Sequence, residues 1–168
     1  MALAYLLLGS NLGHRFSYLH QAQQLVSTHC GEIINQSSIY ETAAWGLTNQ
    51  PSFYNQVIIL QTDIEPQQLM QSLLEIEEKI GRKREIKYGP RIIDIDILLI
   101  DDLICNTQLL ELPHPFLPER RFALLPLSEV APKLIHPLNF KSIQQLLEDC
   151  TDNLEVKKLE GGGLELLI

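Results

Sequence analysis

Residues 92–100 read Ile-Ile-Asp-Ile-Asp-Ile-Leu-Leu-Ile, a period-two alternation that marks a β-strand. Asp94 and Asp96 then project from one face, roughly 6.6 Å apart at about 3.3 Å per residue. Ile93, Ile95, Ile97 and Leu99 form the other face, which is entirely apolar and must be covered. Two like charges at that spacing repel by about 2.5 kcal/mol at an effective dielectric near 20. A strand so committed to burial needs a counter-charge for the pair, and a bound divalent cation is the economical one.

The approach to this strand is basic. Arg82, Lys83, Arg84, Lys87 and Arg91 crowd together with Glu85 as the only acid among them. Cations beside a carboxylate pair suit an anionic, metal-bound ligand, above all a nucleoside triphosphate with magnesium. Mg²⁺ takes one or two carboxylates plus phosphate oxygens and waters, and arginine forks clamp phosphates. The plainer alternative is an acid pair that merely wets one face of an edge strand beside a solvated loop. The Gly89-Pro90-Arg91 lead-in and the apolar opposite face weigh against it.

The basic stretch is an island, because the chain as a whole carries a net charge of −8 with a pI near 5.0. Such a surface repels nucleic acid and favours a small anionic ligand over a polymer. At 168 residues, 45% hydrophobic and 20% charged, the chain fits one domain over 1–168, burying about 70% of its unfolded surface. Cys30, Cys105 and Cys150 are scattered and odd in number, so a disulfide framework or zinc site is not expected and a reducing, cytoplasmic setting is. The apolar opening 2–8 is short and lacks a basic flank, which reads as a buried strand, not a signal peptide or membrane span.

Further along, the pattern predicts a helix over 15–29, strands over 32–41 and 53–62, and a helix from Pro66 that Gly81 closes. A strand over 92–100, a short strand at 103–105, helices near 119–125 and 142–150, and an edge strand within 154–159 complete the series. The order β-α-β-β-α-β is that of a split βαβ, ferredoxin-like α+β fold: a mostly antiparallel sheet with helices against one face. Asp94 and Asp96 then belong to the open face, where loops 9–13, 42–51 and 82–91 gather.

With these residues in place the chain resembles the 6-hydroxymethyl-7,8-dihydropterin pyrophosphokinases of folate biosynthesis. The likeness rests on Ala4-Tyr5 with Gly9-Ser10-Asn11-Leu12-Gly13, on Ser38-Ile39-Tyr40-Glu41-Thr42, and on Gln50-Pro51-Ser52-Phe53-Tyr54-Asn55. Glu77 followed by Gly81-Arg82, the whole stretch 87–98, Pro113-His114-Pro115 and Glu119-Arg120-Arg121-Phe122 extend it. It covers roughly residues 1–137, and 151–168 form a C-terminal extension outside it. Departures are few. Tyr88 stands where members often have tryptophan, and Ala43 where many have proline. Leu74, Leu109 and Glu111 replace residues that in some members are polar, arginine and threonine.

The resemblance implies pyrophosphate transfer, as a unit, from MgATP to the pterin hydroxymethyl group, leaving AMP. Asp94 and Asp96 would hold two Mg²⁺ ions and, with Arg82 and Arg91, make the catalytic set. Glu77, Arg82, Arg84, Tyr88, Arg91, Arg120, His114 and the backbone at Ile97 would surround ATP. Phe53 and Phe122 would stack on the pterin, Thr42, Ala43 and Asn55 would read its edge beside Asp94, and Trp45 would close over it. From residues alone, Phe53 and Phe122 could equally be core aromatics, His114 a loop-stabilising histidine, and Trp45 an exposed aromatic. The expected partners are the pterin and ATP, with no nucleic acid and no membrane, and the chain a monomer. Two rivals from other classes are a non-catalytic ferredoxin-like MgATP-binding module and a metal-dependent nuclease or nucleotidyltransferase.

Overall fold

The computed structural model describes residues 1–43, 49–83 and 89–159. Strand β1 (Ala2–Ser10) lies at the centre, between β4 (Phe53–Thr62) and β5 (Asp94–Ile100), antiparallel to both. Beyond β4 come β3 (Tyr40–Thr42) and then β8 (Val156–Lys158), while β2 (Glu32–Gln36) also pairs with β4. A separate two-stranded ladder joins β6 (Cys105–Asn106) to β7 (Glu111–Leu112). Among the described residues four helices pack around the sheet: α1 (Arg15–His29), α2 (Pro66–Ile80), α3 (Arg121–Val130) and α4 (Ile143–Asp149). The order β5-β1-β4-β3 is that of the expected split βαβ sheet.

The expected strand over 32–41 is two strands. A register irregularity falls between Ile33 and Asn35, and at Ser37, whose N–H still donates to the Val57 carbonyl at 2.8 Å, side-chain bonds join the backbone pairing. Ser37 Oγ accepts from the Val57 N–H, and the Ser37 carbonyl accepts from Gln56 Nε2. Serine competes with regular pairing in this way. The expected helix near 119–125 also differs. It is preceded by a 3-10 turn at Leu117–Glu119 and runs on through Pro126, which is buried beside Ala123, Leu124 and Leu127. That burial offsets the helix bond the proline cannot make, a loss on the order of 3 kcal/mol.

One expectation is overturned: helices cover both faces of the sheet, not one. On the first face, Leu6, Leu8, Ile58, Leu60, Ile95 and Ile97 pack against Leu19, Ala22 and Val26 of α1 and Leu69, Leu73 and Ile76 of α2. On the second, Tyr5, Leu7, Val57, Ile59 and Leu99 pack against Ala123, Leu124 and Leu127 of α3 and Ile143 and Leu146 of α4. Leu99 therefore belongs with the second face and not with Ile93, Ile95 and Ile97. The cause is local. The β1–β5 register shifts between Tyr5 and Leu6, which sit opposite Leu99 and Ile97, so Leu98 is the extra residue of a bulge and the alternation inverts. The second face is thus covered at one end only. At its other end Asp94 lies opposite Gly9, and Gly9 opposite Asn55, where only the start of α3 approaches.

Candidate active site

That uncovered end forms a pocket lined by Leu7 and Gly9 of β1, Thr42 and Ala43 at the end of β3, Phe53 and Asn55 of β4, Arg91, Asp94 and Asp96 of β5 and its lead-in, and Arg120 and Phe122 at the start of α3. Three strands contribute alternate residues of one face, as the pleat requires. Asp94 and Asp96 both face this space, as their spacing predicts.

The acid pair is electrostatically loaded. Asp94 is gripped from both sides, Oδ1 by Arg82 Nη1 at 2.8 Å and Oδ2 by Arg91 Nη1 at 3.1 Å. Burial pushes Asp96 well above the carboxylate range, to about 8, and the Asp94 charge adds to the rise while Arg120 and Arg91 oppose it. A cation bound between the two carboxyls would oppose both the burial and the like charge that raise Asp96. The donor set therefore fits a hard divalent cation bound by two carboxylates, with phosphate oxygens and waters completing its shell. Among the described residues no group of three or more His, Cys, Asp or Glu is placed to hold a metal by itself.

Glu77 lies beneath the site, 2% exposed. Its Oε2 accepts the Ile95 N–H at 2.7 Å and its Oε1 pairs with Arg82 Nη1 at 3.0 Å. The same carboxylate thus ties α2 to β5 and steadies the guanidinium that grips Asp94. Its place is under the ligand cavity, not among the cavity-lining side chains. Ile97 likewise faces the core under α1 and α2, so only its backbone can meet a ligand.

The neighbouring slot is aromatic and amide-lined. Asn55 is buried and donates from Nδ2 to Thr42 Oγ1 at 3.1 Å. Gly9 has no Cβ, and one built there would stand 2.8 Å from Asn55 Oδ1, so glycine is what lets Asn55 occupy the slot. The Arg91 guanidinium lies over the Phe53 ring at 5.4 Å. Arg120 lies between two rings, 4.9 Å from Phe116 and 5.6 Å from Phe122. A flat heterocycle with a hydrogen-bonding edge suits such a slot.

His114 lines an adjacent groove with Glu111, Pro113 and His136 and not the pocket itself. Its N–H donates to the Leu98 carbonyl, and its Nδ1 accepts the Phe116 N–H. Burial, reinforced by Arg120, lowers its pKa to about 4, so it is neutral at physiological pH. Trp45, Arg84 and Tyr88 lie outside the described residues. Leu7 was not among the residues expected to form the site, and Gly9 entered only as the start of loop 9–13, because what each contributes depends on which strand pairs with which.

A model of the 7,8-dihydro-6-hydroxymethylpterin-pyrophosphokinase family matches residues 5–132. The chain belongs to that family. It is a pyrophosphokinase, and its named relatives agree over most of its length. The 2-amino-4-hydroxy-6-hydroxymethyldihydropteridine pyrophosphokinase of Aquifex aeolicus is 43% identical over 151 residues, covering 90% of this chain and 94% of that protein. The Bacillus subtilis protein of the same name is 41% identical over 129 residues, 76% of this chain and 77% of the relative. A folic acid synthesis protein of Pneumocystis carinii is 38% identical across 89% of this chain, which spans only 20% of that longer protein. Among solved structures, the Plasmodium falciparum HPPK-DHPS wild type superposes with a TM-score of 0.74 at 19% identity. That likeness shows the fold and covers 88% of this pyrophosphokinase but 44% of the larger chain.

Proposed function

We propose that this chain transfers the β,γ-pyrophosphate of ATP, as a unit, to the hydroxymethyl group of 6-hydroxymethyl-7,8-dihydropterin, releasing AMP, within folate biosynthesis. The observation that carries this reading is the continuity of one pocket, in which an acid pair, its Asp94 gripped by two arginines, opens directly onto an aromatic, amide-lined slot. The pterin lies between Phe53 and Phe122, its edge read by Asn55, Thr42 and Ala43, with Trp45 closing over it and Asp94 nearby. Arg82, Arg91 and Arg120 present guanidinium forks to the phosphates, aided by Arg84 and Tyr88, with neutral His114 and the Ile97 backbone beside the nucleotide. Two Mg²⁺ ions held by Asp94 and Asp96 would neutralise phosphate charge that otherwise repels an attacking oxygen. The substrate hydroxyl is the nucleophile, so no side chain forms a covalent intermediate. Positioning and charge stabilisation then supply most of the acceleration. The protein works as a monomer in the cytoplasm.

The decisive assay incubates the purified chain with ATP, magnesium and the dihydropterin and follows AMP. Pterin-dependent AMP is expected, and Asp96→Ala abolishes it while the melting transition persists. Nucleotide binding without pterin-dependent AMP would leave only a non-catalytic MgATP module.

A further inference from the structure

Asn11 is buried in the turn after β1, outside the pocket lining, yet its polar groups join the two halves of the site. On one side its backbone N–H donates to the Arg91 carbonyl at 3.1 Å, and its Oδ1 accepts the Arg91 N–H at 2.8 Å. Both polar groups of the Arg91 backbone are thereby fixed. On the other side Nδ2 donates to Gln50 Oε1 at 2.8 Å and to the Pro51 carbonyl at 3.0 Å. Only a carboxamide offers two donors and an acceptor on one short planar group, which explains asparagine rather than aspartate here.

The two connected segments serve different ligands in the proposed reaction. Pro51 lies two residues before Phe53, which faces the heterocycle slot. Arg91 grips Asp94 at 3.1 Å and has its guanidinium over the Phe53 ring at 5.4 Å. A shift of segment 50–53 on filling the slot would be passed through one rigid amide to the backbone that aims Arg91 at the anionic half.

We propose that Asn11 is a positioning residue that couples the two subsites, so that occupancy of the heterocycle slot raises affinity for the magnesium nucleotide and the reverse. This rests on the pyrophosphokinase reading of the site. Coupling between two ligands is reciprocal, and typical couplings are about 5–150-fold.

The test measures binding of a non-hydrolysable ATP analogue with magnesium to the full chain, by calorimetry, with and without saturating dihydropterin. The wild type is expected to bind the analogue at least about fivefold tighter with pterin present. Asn11→Asp keeps the acceptor for the Arg91 N–H but loses both donors to Gln50 and Pro51, and it should bring that ratio close to one. Gln50→Ala removes one of the two bonds at the far end of the bridge, leaving that to the Pro51 carbonyl, and should lower the ratio partway toward one, deciding the matter if Asn11→Asp does not fold. A merely structural role would weaken both measurements and leave their ratio unchanged. A wild-type ratio of one, or a wild-type ratio retained in the variants, overturns the coupling. Pterin-dependent AMP formation in that same wild-type protein would show that the coupling alone, and not the functional reading, had failed.

Discussion

Replacing Glu77 by glutamine tests whether the acid beneath the site is its scaffold. The two carboxylate oxygens face two donors, the Ile95 N–H at 2.7 Å and Arg82 Nη1 at 3.0 Å. An amide offers one oxygen and one NH₂ group, so Glu77→Gln sets one of those donors against another donor. A buried donor stripped of its acceptor costs about 1–3 kcal/mol, and the surviving bond loses charge assistance worth about 1 kcal/mol. The neutral amide also relieves a minor part of the repulsion that raises Asp96, which offsets little of the loss. Stability is expected to fall by about 2–4 kcal/mol, or roughly 5–15 °C in Tm for a chain of this size. Urea unfolding at neutral pH measures it, with an unchanged slope m confirming that the same surface is exposed. Turnover should fall chiefly in kcat, because Arg82 is aimed less firmly while the heterocycle slot is untouched. A stability change below about 0.5 kcal/mol would refute the reasoning, since that is the level of an ordinary surface substitution.

Gly9→Ala places a methyl group 2.8 Å from Asn55 Oδ1. It should weaken pterin binding at least about tenfold, equivalent to 1.4 kcal/mol, with nucleotide affinity nearly unchanged by calorimetry; equal losses for both ligands would contradict the placement of the slot. The raised pKa of Asp96, about 8, gives a stability profile with a definite sign. The folded protein keeps a proton that the unfolded chain releases near pH 4, so this contribution is complete below about pH 4 and is lost as pH rises through about 8. Metal-free wild type should therefore lose stability relative to Asp96→Asn between about pH 5 and 8, and parallel urea midpoints across that range would rule the shift out. His114, with its pKa lowered to about 4, should show no imidazole titration by NMR between about pH 5 and 8, where an ordinary histidine titrates near 6.5.

The acid pair shows why part of the site was legible before any coordinates. Two residues apart on a strand must share a face, so Asp94 and Asp96 were bound to converge whatever surrounded them. The basic lead-in announced itself by density of charge. Glu77 was expected around the nucleotide, but its burial and its grip on the Ile95 N–H, which place it beneath the cavity, depend on how α2 lies against β5. Asn11 appeared only as part of a turn-rich connector, since its partners stand 39 to 80 positions away in sequence.

What the chain determined by itself was therefore periodic and local: which residues alternate, which segments are helical, and that the strand at 94–100 carries two like charges on one face. The tertiary structure decided where that strand's acidic face opens. A bulge at Leu98 turns Leu99 toward α3 and α4, and only the first turn of α3, through Phe122, reaches the end that holds Asp94, Gly9 and Asn55. Local sequence rules have no term for that, because it depends on long-range register and on which neighbouring surface a helix happens to cover.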